Sequence, residues 1–248
     1  MFKTASLEQV QPLSQTTSGV TSLYRIGAIA AGLQLAAIIG YGVVIALLGP
    51  KPTSAEEYFI IHQTSRTAAV LRGDLLILIL IALYLGTIPA LYVALRPISP
   101  VYMALASLFS ILAVVGAMAT EATFSLLHLG DLYAAAATDA VRVQLVAAAE
   151  AVIAADMWNS TSAYAGGILL QGSGVMISWM MLRSRRFHKV TAYAGLLGNG
   201  FDLVQHLLHP FAPSISASIS MFMGVFYFVW FPMLARDLWR LSRFATTE

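Results

Sequence analysis

Cysteine is absent from the chain, which removes disulfides, thiolate nucleophiles, Cys-ligated zinc and iron–sulfur clusters from consideration. Charge is scarce too: Asp, Glu, Lys and Arg supply 10% of the residues, against 58% hydrophobic, and the mean hydropathy is +0.77. Soluble domains carry about a quarter charged residues, so the composition is that of a multi-pass membrane protein. No stretch is polar and long enough to fold as a soluble unit of about 50 residues, and one membrane domain is expected. The net charge of +2 arises mainly from short loops and the C-terminus, where topology accounts for it; nucleic acid is not implied as a partner, whereas membrane lipid is. The opening residues also lack the short apolar core of a removable signal peptide. Residues 1–21, rich in Ser, Thr and Gln, read as a cytoplasmic tail, and residues 22–241 as the membrane domain.

What is there is a succession of apolar runs, each long enough to cross about 30 Å of hydrocarbon. Residues 22–48 end at Gly49-Pro50-Lys51-Pro52. Thr53-Ser54 followed by Glu56 and Glu57 signals the start of a short surface helix over 54–63. A second span over 67–95 stops at Arg96-Pro97, and a third covers 101–128. Residues 138–182, if one helix, would reach about 67 Å, twice the hydrocarbon thickness. The break is therefore placed at Asn159-Ser160-Thr161-Ser162, leaving an amphipathic surface helix over 138–157 and a fourth span over 161–182. The fifth span is 190–209 and the sixth 214–238, with a cytoplasmic tail over 242–248. The fold class expected is all-α: a six-span bundle in the inner cell membrane with one or two surface helices. Lys and Arg at positions 183, 185, 186 and 189, at 96, and at 236, 240 and 243 all fall on one side of it. The positive-inside rule makes that side the cytoplasm, so both termini are inside, and the Arg236, Arg240 and Arg243 series reads as an anchor near anionic headgroups.

Ionisable residues at membrane depth are costly and face a bundle interior or a watery cavity. In the fifth span Asn199, Asp202, His206 and His209 fall within about 80° on a helical wheel. Glu121, Ser125 and His128 repeat the spacing of Asp202, His206 and His209 in the third span. Helical rise places Asp202, His206, Asp74 and Glu121 in the outer half of the bilayer, so one polar cluster is expected, with Arg72 or Arg66 as counter-ion. Three readings stay open. The cluster forms an outward-facing cavity that binds or carries a small molecule or lipid, lined by Asp74, Glu121, Asn199, Asp202, His206 and Arg72. Alternatively Asp202, His206, His209 and His128 hold zinc for an intramembrane hydrolase acting on a lipid or amide, although the H-E-x-x-H signature is absent. In the third reading the acids pair with Arg72 and the chain is a structural or accessory subunit without an active site. A haem between His128 and His206 is a further arrangement compatible with bis-His ligation. Gly195-x2-Gly198-x-Gly200, Gly166-Gly167 and Gly172-x-Gly174 read as helix-packing faces.

The polar residues resemble those of ceramidase-like and adiponectin-receptor-like intramembrane hydrolases in type alone. Six spans stand here where those have seven, and two residues rather than three separate His206 from His209. A wider resemblance runs through the polar turn at Asn159, the Gly-rich span, the loop Met181-Leu182-Arg183-Ser184-Arg185-Arg186-Phe187 and the stretch Ala194-Gly195-Leu196-Leu197-Gly198-Asn199-Gly200-Phe201-Asp202. With Tyr24-Arg25-Ile26 and the segment from Leu132-Tyr133 to Arg142, this layout is similar to a broad bacterial domain-of-unknown-function family of multi-pass membrane proteins. The resemblance implies a six-span bundle and carries over Asp202 as a site residue; it supplies no activity.

Overall fold

The computed structural model describes residues 14–244, and over them every regular element is a helix. In chain order these are α1 (Ser14–Leu48), α2 (Ala55–Thr64), α3 (Arg66–Arg72), α4 (Leu75–Ala82), α5 (Tyr84–Leu95), α6 (Pro100–Thr120), α7 (Thr123–Ala135), α8 (Asp139–Ala154), α9 (Thr161–Arg183), α10 (Lys189–Leu208) and α11 (Pro213–Phe244). The expected N-terminal tail falls outside the described residues up to position 13, and α1 is already helical from Ser14. Residues 245–248 of the expected C-terminal tail are also outside them, and α11 runs on to Phe244.

The boundaries follow local chemistry. Ser54 accepts from the Glu57 amide at 3.2 Å while the Glu57 carboxylate accepts from the Thr53 amide at 3.1 Å. This reciprocal pair satisfies donors that the start of α2 leaves open. Ser99 caps α6 ahead of Pro100, whose missing N–H costs nothing at a first helical position. Thr138 caps α8 and Ser160 caps α9, so the expected division of residues 138–182 falls where helix length required it. The expected second span over 67–95 is divided among α3, α4 and α5, and its membrane-length apolar stretch begins only at Leu75, after the break at Gly73-Asp74. Pro89 cannot donate to Leu85, and one turn earlier the Gly86 amide tightens onto the Leu83 carbonyl at 3.0 Å.

The third span departs from expectation. α6 ends at Thr120, Glu121 adopts extended backbone (φ −66°, ψ 129°), and α7 begins at Thr123. The Glu121 carboxylate accepts from the Thr123 amide at 2.7 Å, satisfying an opening donor of α7. Glu121, Ser125 and His128 therefore do not share one helical face, because an acid followed two residues later by an open amide stabilises a new start rather than continuation.

Among the described residues five stretches are long and apolar enough to cross a membrane: Ser18–Leu48, Leu75–Leu95, Pro100–Ala135, Thr161–Arg183 and Pro213–Phe244. Their outward surfaces are apolar, as in Ile26, Ile29 and Leu33 on α1 or Met221, Phe222 and Val225 on α11. Small and polar residues face inward, among them Ala28, Ala31 and the fully buried Gln34. This inversion of the soluble pattern makes the chain a multi-pass helical membrane protein. α10 packs between α9 and α11; α11 packs on α1, α1 on α4 and α5, α5 on α6, and α6 on α9, closing a ring. Its main core includes Leu91, Leu95, Met103, Ile177, Met181 and Phe231.

At one end, α2, α3, α7 and α8 form a cap with a core of its own, built on Tyr58, Phe59, Ala69, Leu126, Leu127 and Ala149. The cap packs through α3 on α1 and α4. The opposite end carries the basic connection between α9 and α10, residues 183–189.

Candidate functional site

The polar stripe of α10 is buried against α9 because α9 presents glycines opposite it. A Cβ on Gly174 would lie 2.1 Å from Asn199 Oδ1, and one on Gly167 would lie 2.1 Å from Cδ2 and 2.2 Å from Nε2 of His206. The two glycines stand two helical turns apart, as Asn199 and His206 do, so each polar side chain drops into a gap left by a missing methyl group. Asn199 is spent within its own helix, donating to the Gly195 carbonyl at 2.7 Å.

Asp202 is the centre of the site and is 5% exposed. Tyr227 of α11 lies 2.9 Å from Asp202 Oδ2 and 3.0 Å from Gln171 Oε1 of α9. One phenolic proton serves one acceptor at a time, so Tyr227 donates to the carboxylate, and turning the Gln171 amide over lets its NH2 donate to the phenol oxygen. Gln205 donates to Asp202 Oδ1 at 3.1 Å. His206 Nδ1 lies 3.1 Å from the same oxygen, 2.9 Å from the Asp202 carbonyl and 2.7 Å from Gln205 Nε2; the two oxygens suit an Nδ1–H donor, whereas toward the Gln205 amide nitrogen Nδ1 would have to accept. Ser216, at the start of α11, donates to the carbonyl or the side-chain oxygen of Gln205 at 3.0 or 2.8 Å. Three helices thus supply a hydrogen-bonded series from Gln171 to Ser216 with one carboxylate at its middle. Among the described residues His206 is the only basic side chain paired with that carboxylate.

The remaining candidates lie elsewhere, and the expected single cluster is divided. Asp74 belongs to a second group beneath the cap, where Lys51 bridges Asp74 Oδ2 at 2.6 Å and Asp156 Oδ2 at 2.7 Å. Trp158 donates its indole N–H to Asp74 Oδ1 at 2.8 Å. The other oxygen of Asp156 accepts from the amides of Trp158 and Asn159. Burial alone would push the Lys51 ammonium down, but Asp74 and Asp156 outweigh it and hold the group above its ordinary 10.5. Arg72 is engaged separately, donating to the Pro50 carbonyl at 2.8 Å and to Glu57 at 3.0 Å. Glu121 caps α7 as described. α9 stands between α6 and α10 in the ring, so Glu121 and Asp202 descend on different sides of it.

Of the residues weighed as metal ligands, Asp202 and His206 are adjacent, whereas His209 is exposed at the end of α10 and His128 is exposed on α7. Among the described residues no three His, Cys, Asp or Glu side chains come together to hold an ion. The sequence reading missed Tyr227, Gln171, Gln205 and Ser216. The available signal was the match between the glycine spacing on α9 and the polar spacing on α10, which marks α9 as the neighbour and brings Gln171 with it. Lys51 was passed over as part of a turn.

No curated protein and no solved structure matches the chain. Residues 22–239, from within the first span to within the last, match the family model described as a domain of unknown function, DUF4386, and the chain belongs to that family.

Proposed function

We propose that this protein is a six-span protein of the cell membrane, with both termini cytoplasmic, that takes up a small polar or lipid ligand at the Asp202 site from the outer side. α10 serves as the fifth of the six spans, added to the five stretches named above. Its 20 residues correspond to about 30 Å of helix, and its polar face turns toward α9 and α11 rather than toward lipid. The basic 183–189 connection then lies inside and the cap outside.

The observation that carries the reading is the unequal charge at the site: a buried carboxylate held by Tyr227, Gln205 and His206 with no Lys or Arg paired to it among the described residues. A carboxylate in that setting is stabilised by donors that a cationic or hydrogen-bonding ligand can replace, and the imidazole beside it can hold a proton when the ligand leaves. The route in is short, because Asp202 is six residues, about 9 Å, from the end of α10. The cap packs on the α1 and α4 side of the ring, whereas α10 packs on α9 and α11.

Absence of cysteine makes the test direct. Single cysteines at exposed Ser214, at His206 and at Arg185 are treated with a membrane-impermeant maleimide on intact cells. Ser214→Cys and His206→Cys should label from outside, and Arg185→Cys only after permeabilisation. External labelling of Arg185→Cys would reverse the orientation. A His206→Cys that stays unlabelled while Ser214→Cys labels would close the route and end the ligand reading.

A further inference from the structure

At the basic end, the connection between α9 and α10 and the last turns of α11 border an open groove of about 550 Å³. Its charged lining is of one sign: Arg183, Arg185 and Lys189 from the connection and Arg240 from α11, with His188 beside them and no Asp or Glu. We infer that this groove binds the phosphate of an anionic glycerophospholipid headgroup from the adjacent leaflet.

The groove is built before any ligand arrives. Ser184 accepts from the Arg186 amide at 3.0 Å, Arg186 donates to the Ala94 carbonyl at 3.3 Å, and Arg240 donates to the Arg186 carbonyl at 2.5 Å. Buried Asp237 accepts from the His188 amide at 2.9 Å and from the Thr191 hydroxyl at 2.7 Å. These bonds fix the connection without neutralising it: among the described residues Asp237, 3.8 Å from Arg240, is the one carboxylate paired with a groove cation, and Arg183, Arg185 and Lys189 have none. Cations kept together in this way repel one another, and an anion seated among them relieves that repulsion. Arg185 makes no hydrogen bond or ion pair among the described residues and is exposed.

Lipid rather than a soluble phosphate is favoured by where the groove sits. Arg183 lies 5.2 Å from the centroid of the Trp179 ring, and Trp179 is half exposed one helical turn inside α9. Trp at that level marks the membrane–water interface, with the basic groove at headgroup depth. The volume falls in the range of small-molecule sites.

Full-length protein in a neutral detergent, analysed by native mass spectrometry, tests the inference with four probes: phosphatidylglycerol, phosphatidylcholine, glycerol 3-phosphate and inorganic phosphate. Phosphatidylglycerol should be retained in preference to phosphatidylcholine. Arg185→Gln should weaken its retention about fivefold and Arg183→Gln with Arg185→Gln by more than tenfold, while Arg185→Lys stays near wild type. Because Arg185 supports no other residue, its variant should keep the wild-type thermal midpoint and decides the matter if the double variant does not fold. Equal retention of the two lipids, or wild-type retention by a folded Arg185→Gln, overturns the inference. Displacement of the lipid by glycerol 3-phosphate or inorganic phosphate at equal concentration also overturns it, in favour of a soluble phosphate.

Discussion

The imidazole of His206 occupies the space that a side chain on Gly167 would fill, with Nε2 2.2 Å from where the first carbon would be. That one contact explains why α10 can turn a histidine toward its neighbour, and it makes the pair separable by mutation. Gly167→Ala should lower the thermal midpoint in detergent, equivalent to about 1–3 kcal/mol of overpacking. Gly167→Ala combined with His206→Ala should recover most of that loss. A double variant no better than the sum of its parts would show that the two positions do not touch.

Tyr227→Phe removes the hydroxyl that reaches both Asp202 and Gln171. A buried carboxylate left short of a donor and an amide left short of an acceptor should cost about 1–3 kcal/mol. In a thermal double-mutant cycle, Tyr227→Phe should cost markedly less on an Asp202→Asn background. Equal cost on both backgrounds would break the link.

Beneath the cap, Lys51→Met leaves the carboxylates of Asp74 and Asp156 facing each other without their cation. Breaking a buried ion pair from one side costs about 3–5 kcal/mol, and solvent at the partly exposed Lys51 places the expectation at the lower end of that range. Hydrogen exchange should rise in α2, α3 and α8 while α9 to α11 stay protected. Uniform loss of protection would mean that cap and ring do not behave as separate units.

The same lysine sets an alkaline limit. Its folded pKa lies above the ordinary 10.5, so its contribution is fully present below 10.5 and is lost as pH rises through the higher folded value. As pH rises above 10.5, the thermal midpoint of the wild type should fall more steeply than that of Lys51→Arg, whose guanidinium keeps its proton. Parallel curves would remove Lys51 from the explanation.

How far the sequence could be read depended on whether a feature was local. Long apolar runs, Pro100, Ser160 and the excessive length of residues 138–182 are properties of consecutive residues, and the helix pattern followed from them. The inward face of α10 was also legible, because one carboxylate at that depth has only one tolerable direction. Which helix it would meet was not. Periodicity on α10 orders its own side chains but does not order the ring, and Glu121 appeared to match Asp202 only while α6 and α7 were taken as one helix. Tyr227 was hidden for a related reason: among Phe222, Phe226, Phe228 and Phe231 its hydroxyl is a single polar atom in an aromatic stretch, and its partners lie 25 and 56 residues away.

The clamp at Lys51 also has a bearing on the order in which the chain is assembled. Lys51 meets one partner 23 residues later and the other 105 residues later. In the proposed six-span arrangement the ammonium can pair with Asp74 during synthesis as soon as the second span begins, while Asp156 reaches it only after the third span has crossed and α8 has followed on the same side. Until then Asp74 is held alone and the cap is open; the second contact closes it. The clamp is therefore a record of correct threading: a third span inserted the wrong way round would leave Asp156 on the far side of the bilayer from the lysine it has to reach.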